Sequence, residues 1–380
     1  MNPKSRRLFI ALSIAGFFAI LSSTMSKSPT LPLFAESLGI HTAEIGFIAS
    51  ISTFVGIFTN VIAGSLSDKY GRKALLRAGG FVFATAPLFY LFVRNSFQLA
   101  AIRAYHGLAT ATFVPVSLAF IADIFPNRKG EMMGLFSSAM TAGRMIAPLL
   151  AGTIILRFGF KEAYETCWLA GMIAFPIILL IKAPTSSQMS GFRPFRLIGG
   201  RVVIVASFEA ISYFVMQAIE TFLPLYASSI DISASEVGIL FTIQILTMAL
   251  LKPIAGRVSD RIGRVPPIIV GMIVISMSVI GLSFSRGFYL MMFSLVLLSA
   301  GVAFVFSSTK PLASEIMGSK MHGTAIGTTE TVKDIGQAFG PVIVGILIRS
   351  IGFSSAFLSL AALPLLFALF FVIIRKRLIA

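Results

Sequence analysis

The stretch that decides the fold is Gly64-Ser65-Leu66-Ser67-Asp68-Lys69-Tyr70-Gly71-Arg72, because it returns 192 residues later as Gly256-Arg257-Val258-Ser259-Asp260-Arg261-Ile262-Gly263-Arg264. Each copy is a polar, basic turn set between long apolar runs. Other blocks keep the same register. Leu31-Pro32-Leu33-Phe34-Ala35-Glu36-Ser37 returns as Leu223-Pro224-Leu225-Tyr226-Ala227-Ser228-Ser229, and Glu44-Ile45-Gly46 as Glu236-Val237-Gly238. Gly134, Gly143, Pro148 and Gly152 return as Gly327, Gly336, Pro341 and Gly345, with one residue added to the offset. Chance similarity between apolar helices does not hold register over four blocks, so the chain is a duplicated unit.

The composition states what that unit is made for. Of 380 residues, 56% are hydrophobic and only 12% charged. A soluble domain carries about 25% charged residues, so a water-exposed surface of this size is excluded. One helical crossing of a bilayer takes roughly 20 apolar residues. Twelve apolar segments are read, at 8–34, 44–66, 74–93, 98–122, 131–156, 163–183, 202–227, 236–258, 267–285, 288–314, 323–349 and 354–374. Runs this long argue for helices over the short alternating strands of a barrel. The expected fold is an all-α polytopic membrane protein of two six-helix halves, 1–183 and 201–380, joined by a polar, flexible linker at 184–200. Halves of even span number share one orientation, which implies a pseudo-two-fold axis along the membrane normal.

The net charge of +16 would suggest nucleic acid in a soluble chain; here its placement matters more. With the N-terminus inside, 20 cations fall in cytoplasmic segments and 5 in outer ones. That bias predicts both termini in the cytoplasm of a prokaryotic cell, with the protein in its plasma (inner) membrane and no role for nucleic acid. The N-terminal Lys4-Ser5-Arg6-Arg7 before an apolar run imitates a signal peptide, but that run continues into the repeated Leu31-Pro32 block and reads as part of the fold. Cys167 is the sole cysteine, which leaves no internal disulfide or Cys-x-x-Cys site.

With these residues in view, the chain resembles the major facilitator superfamily over essentially its whole length. The loop between spans 2 and 3 is similar to that superfamily's signature, through Gly64, Asp68, Gly71, Arg72 and Lys73; the second copy keeps Asp260 and Arg264 but lacks the final lysine. Three further features resemble its drug:proton antiporter branch: Pro29-x-x-Pro32, Arg103 with Gly107, and the span 5 pattern of Gly134, Gly143, Pro148 and Gly152, in which two of the branch's glycines are alanines. The resemblance implies alternating access. Spans 1, 4, 7 and 10 would line the cavity, and spans 2, 5, 8 and 11 would lie at the interface between halves.

The signature loop has two readings. A latch would close the cytoplasmic side, with Asp68 at a helix N-terminus and Arg72 pairing with Asp123; a topogenic turn with solvated cations needs neither. Charges inside spans are expensive and usually mark an ion or substrate path. The proton-coupling candidates are Asp334, Glu330, Glu209, Glu220 and Arg103. Glu330 and Asp334, four apart, share a helix face and should raise each other's proton affinity, unless Lys333 or Arg144 neutralises them. Lys27 and Glu220, on equivalent spans, could gate the outer mouth, bind a charged substrate or form a static bridge. Arg103 is implicated in proton transfer by the resemblance, or simply snorkels to the interface. Lys27, Arg144, Lys333, Tyr213 and Gln217 are the candidates for the substrate cavity. Pro29, Pro32, Gly134, Gly143, Pro148, Gly152, Gly336, Gly340 and Pro341 read as packing or hinge positions.

The function expected is proton-coupled export of small amphipathic or lipophilic compounds; import of a polar or anionic solute is the alternative, because the in-span cations outnumber the deep carboxylates. No phosphate-binding loop, His-Glu-x-x-His or Gly-x-Ser-x-Gly occurs, and the three histidines are scattered, so neither ATP hydrolysis nor an enzyme is expected. The expected partners are a small-molecule substrate, protons and the lipid bilayer, with a monomer as the working form and no cofactor or metal.

Overall fold

The computed structural model describes residues 3–181, 200–317 and 321–379; for residues 60, 61, 64, 65, 68, 322–324 and 374–379 it describes the backbone alone. Among the described residues the regular structure is helical: α1 (Pro3–Met25), α2 (Thr30–Ser37), α3 (Thr42–Tyr70), α4 (Arg72–Tyr90), α5 (Ser96–Ile124), α6 (Lys129–Arg157), α7 (Phe160–Leu180), α8 (Gly200–Ser228), α9 (Ala234–Ile262), α10 (Val265–Ser283), α11 (Phe288–Met317) and α12 (His322–Ile379). Ten segments among the described residues are long and apolar enough to cross a bilayer. Two features bring that number to the twelve crossings expected. α12 holds two spans in one helical run, broken at Gly352 (φ 77°), and the short α4 opens on three basic residues, Arg72, Lys73 and Arg77.

Span 1 differs from the continuous helix expected. It breaks into α1 and α2 at Ser26–Pro29, because Pro29 has no N–H to offer the carbonyl of Met25. The Thr30 hydroxyl takes that place, donating to the Met25 oxygen at 2.5 Å. The interhelical turns follow local chemistry. Gly71 (φ 87°) and Gly263 (φ 88°) occupy the left-handed region at the same point of each copy, which explains the glycine in both signature loops. Ser233 and Glu236 form a reciprocal capping box at the start of α9. Glu44 stands at the equivalent point of α3, where its charge favours the helix N-terminus.

The chain divides into two compact units, Met1–Ile40 with Ile51–Arg193, and His41–Ser50 with Pro194–Ala380. The expected linker, 184–200, lies outside the described residues except for Gly200. His41–Ser50 joins the second unit through the Thr42 hydroxyl, which donates to the Gly345 carbonyl at 3.3 Å. Within each unit the helices approach where side chains are smallest, as expected where lipid supplies no hydrophobic drive. In the first unit, an added Cβ at Gly143 (α6) would lie 2.5 Å from the Phe17 carbonyl oxygen on α1; in the second, one at Gly336 (α12) would lie 2.0 Å from that of Ala210 on α8. The two contacts are repeat equivalents. So are Gly79 against Ala109 and Gly271 against Gly301, which set the crossings of α4 with α5 and α10 with α11. The duplication is thus carried by backbone-to-backbone contacts. Large apolar side chains such as Phe58, Phe92, Leu180 and Ile373 point outward, as a lipid-facing surface requires.

Candidate functional site

In the first signature loop, Arg72 holds Asp123 at 3.1 Å through Nε, and its Nη1 donates to Ser67. The Asp68 side chain lies outside what the structure describes, and at Gly64 only the backbone trace is given. The second copy repeats the arrangement. Arg264 donates from Nε to Glu315 at 2.9 Å, from Nη1 to Ser259 at 3.2 Å, and pairs with Asp260. Burial disfavours the charge on Arg264, but the hydrogen bonds and charges of Glu315 and Asp260 outweigh it and raise its pKa above the ordinary arginine value. Ser259 and Glu315 lie 192 residues beyond Ser67 and Asp123. Glu315 was missed in the sequence, although applying the repeat offset to Asp123 would have found it. Both arginines are thus held by a serine and an acidic residue from another helix, so the loops are built structures rather than solvated turns.

The charged residues of the second unit meet in one cluster. Glu209 on α8 is fully buried; its Oε2 accepts from the Thr309 hydroxyl at 2.7 Å, and its Oε1 has no hydrogen-bond partner. Lys310 on α11 stands between two carboxylates, its Nζ 2.5 Å from Glu330 Oε1 and 3.5 Å from Glu209 Oε1. Lys333, one turn along α12, bridges Glu330 and Asp334, lying 3.1 Å from the latter. Its ammonium also sits over the Tyr213 ring, 5.1 Å from the centroid, and that ring stacks on Phe306. Glu330 and Asp334 therefore do not act as a bare carboxylate pair. Lysines sit against both, and of the three acids Glu209 is the one that is fully buried, with one oxygen left without a hydrogen bond. Neither Lys310 nor Lys252 is among the candidate residues that the sequence singles out. Lys252, on α9, makes no ion pair among the described residues.

Towards the other end of α8, Gln217 accepts from Gln337 of α12 at 3.3 Å and donates to Glu220 at 3.4 Å. Glu220 thus belongs to a polar seam with Gln217 and Gln337. Lys27 lies in the turn between α1 and α2. Arg144 is exposed on α6 and makes no ion pair among the described residues. Arg103 on α5 does not snorkel. It is 3% exposed, and its Nη2 donates to Ser52 of α3 at 2.7 Å. Gly107, one turn on, lets α5 lie against Ser52, since an added Cβ there would meet its Cα at 2.9 Å.

The small-residue positions divide. Gly143, Gly336 and Gly340 sit where a side chain would strike a neighbouring backbone, and Pro148 and Pro341 are buried within their helices. Gly152 and Pro32 are buried, and Pro29 opens α2. Gly134 is a correction. Among the described residues an added Cβ there meets nothing within 4 Å, so the site shows no close helix crossing, and the same holds for Gly327.

The comparisons with known proteins agree with this architecture. The family model described as Major Facilitator Superfamily matches residues 12–209 and again residues 205–378. An uncharacterized MFS-type transporter of Methanocaldococcus jannaschii, MJ1560, is 29% identical, covering 87% of this chain and 88% of its own. Multidrug resistance protein MdtG of Klebsiella pneumoniae is 23% identical, covering 92% of this chain and 89% of its own. Among solved structures, the nucleoside transporter NupG superposes with a TM-score of 0.79 at 14% identity, over 99% of this chain and 100% of that one. A D-xylose-proton symporter gives 0.78 at 14% identity, over 95% and 96%. At such identity these two share the fold.

Proposed function

The chain belongs to the Major Facilitator Superfamily, and from that premise we propose that it exports small amphipathic or lipophilic compounds by proton-coupled alternating access. The cluster around Lys310 carries the reading. It holds three carboxylates, Glu209, Glu330 and Asp334, against two lysines, Lys310 and Lys333. With every group ionised these five side chains sum to one negative charge; Lys252 of α9 stands within electrostatic reach but forms no ion pair with them, and in a low-dielectric site a charge without a direct partner is costly. One proton makes the cluster neutral. Glu209 is the acid that takes it, being fully buried with Oε1 free of hydrogen bonds. Lys310 is the counter-charge that replaces the proton when it leaves. The likeness to MdtG supports efflux. The working arrangement has both termini in the cytoplasm, the halves 1–183 and 201–380 as the moving bodies, the Arg72 and Arg264 loops as cytoplasmic latches, and the plasma membrane of a prokaryotic cell as its site.

The test is counterflow in proteoliposomes loaded with ethidium, with an inward proton gradient and a pH dye on the outside. Wild-type protein is expected to release the dye and take up protons together. Glu209→Gln should let the dye run down its own gradient without proton movement. Proton-driven dye accumulation on the side opposite to export, or coupling intact in Glu209→Gln, overturns the proposal. Import of an anionic solute is the second reading, favoured by the exposed Arg144, and it predicts accumulation of organic anions with the proton instead.

A further inference from the structure

Buried hydroxyls in the helices of the second unit mostly bond to their own backbone, and one of them does not. A serine or threonine inside a helix can donate to the carbonyl one turn back. Ser212 does so to Phe208, Thr221 to Gln217, Ser308 to Phe304 and Thr329 to Ala325, at 2.8–2.9 Å. Thr309, next to Ser308 on α11 and fully buried, donates to a side chain instead, reaching Glu209 Oε2 at 2.7 Å. A hydroxyl has a single hydrogen to give, so this one is committed to the acid.

The internal repeat shows what the departure is tied to. Thr309 and Glu209 correspond to Ser117 and Gly16, at spacings of 192 and 193 residues. The first unit keeps the hydroxyl and lacks the acid. There the Ser117 oxygen, equally buried, has no hydrogen-bond partner among the described residues. At this place in the fold the hydroxyl is served by the acid or by nothing.

Holding one oxygen fixes the other. With Oε2 occupied, Oε1 is the oxygen that lies 3.5 Å from the Lys310 Nζ and carries no hydrogen bond, so it is where a proton lands. Once Oε1 is protonated, Oε2 becomes a carbonyl oxygen and still accepts from Thr309. A hydrogen bond to a carboxylate is roughly twice as strong as one to a neutral group. The hydroxyl therefore favours the ionised acid while adding no charge of its own. The titratable groups around Glu209 are Lys310 on α11, Glu330 and Lys333 on α12 with Asp334 beyond them, Lys252 on α9 and Tyr213 on its own helix; α10 brings none. Among the described residues Thr309 is the one hydrogen-bond donor to Glu209.

We propose that Thr309 is the positioning residue of the proton site: its hydroxyl holds Oε2, presents Oε1 to the proton, and helps Glu209 release that proton. The proposal rests on Glu209 as the coupling acid.

The test uses the full-length protein in the ethidium proteoliposomes. Thr309→Val keeps the shape and removes the donor, and Thr309→Ser keeps the donor. Proton-coupled efflux is measured as the internal pH is varied. Export requires Glu209 to lose its proton on the inside, so the rate falls once internal pH drops too low for that release. Loss of one hydrogen bond to the charged form should move this fall to higher pH by about one unit. Thr309→Val should thus be slow at neutral internal pH and regain the wild-type rate when internal pH is raised, while Thr309→Ser follows wild type. A packing role alone would lower the rate at every pH. In detergent, the infrared difference between acid and alkaline protein should hold a carboxyl band that Glu209→Gln abolishes. Wild type should show it where a hydrogen-bonded acid absorbs, and Thr309→Val at higher wavenumber. An unshifted pH profile in Thr309→Val, or an equal shift in Thr309→Ser, overturns the proposal. If Thr309→Val does not fold, the wild-type band decides, and a band at the free-acid position overturns it. Coupling intact in Glu209→Gln removes the coupling acid and this proposal with it; uncoupling in Glu209→Gln beside an unshifted Thr309→Val removes the role of Thr309 alone.

Discussion

Gly336→Ala adds one methyl group and should cost far more than its size suggests. The ideal Cβ falls 2.0 Å from the carbonyl oxygen of Ala210, and its next two nearest atoms are the carbon and Cα of the same residue. All three are backbone, so no rotamer can turn aside. Ordinary contact begins near 3.4 Å, so α12 must retreat from α8 by about 1.4 Å at this point. Overpacking of this kind costs about 1–3 kcal/mol, offset by at most about 1 kcal/mol of helix propensity gained over glycine. The expected net loss, on the order of 1–2 kcal/mol, appears as a fall of a few degrees in thermal midpoint at about 2–4 °C per kcal/mol. Transport should suffer more than stability. Ala210 adjoins Glu209, and Gly336 follows two residues after Asp334, so the same retreat pulls Glu330 and Lys333 away from Glu209 and Lys310. Gly134→Ala is the matched control, with nothing within 4 Å of its new Cβ, and should leave the midpoint unchanged or slightly raised. Dye-reported unfolding and proteoliposome efflux of both variants provide the measurement. A wild-type midpoint for Gly336→Ala, or an equal fall for Gly134→Ala, would refute the packing argument.

Other outcomes follow from the same geometry. Asp123→Asn should change stability by less than about 1 kcal/mol, because the Arg72 pair is partly exposed, while slowing transport; Glu315→Gln should behave alike, and full efflux rates in both would remove the latch. Lys310→Met leaves the buried Glu209 uncompensated and should destabilise by about 3–5 kcal/mol. Adding Glu209→Gln should recover much of that loss, and strict additivity in the unfolding cycle would show that the two do not interact. Thr30→Val removes the hydroxyl that serves the Met25 carbonyl and should cost about 1 kcal/mol in thermal unfolding; a neutral result would mean that water or a local adjustment serves that carbonyl instead.

The duplication was legible because it is written in residues with narrow tolerances. Gly71 and Gly263 must adopt a positive φ, and Gly143 and Gly336 must admit a backbone, so each keeps its place in the register. The Arg72–Asp123 pair could be foreseen because both residues stand at span ends, where topology alone brings loops together. The Lys310 bridge could not. Helical spacing places Glu330 and Asp334 on one face of α12, but it does not say which face of α11 turns towards it, and that rotation is set by apolar packing spread over many residues. Pro29 reads from sequence as a packing or hinge position, but that the carbonyl it frees is satisfied by the Thr30 hydroxyl is nothing hydropathy registers. Gly134 shows the opposite error, a glycine that matches a pattern and marks no close helix crossing.

The two units share their close crossings and differ in their buried charge. Where the first unit sets Arg103, His106, Tyr90 and Tyr164, the second has Leu295, Leu298, Leu282 and Phe357. Where the second sets Glu209 and Lys310, the 193-residue spacing of the equivalent contacts at Phe17 and Ala210 gives Gly16 in the first unit, and the offset of 192 on α11 gives Leu118. A duplicated scaffold that closes with hydrocarbon in either copy has no structural need of polar groups at these places, and each polar group buried there adds a cost that the other copy avoids. The asymmetry therefore separates two kinds of residue. Positions that match across the repeat build the helices and their crossings. Buried polar positions that do not match are positive in the first unit and acidic with lysine counter-charges in the second, and the proposed proton site is built from the latter.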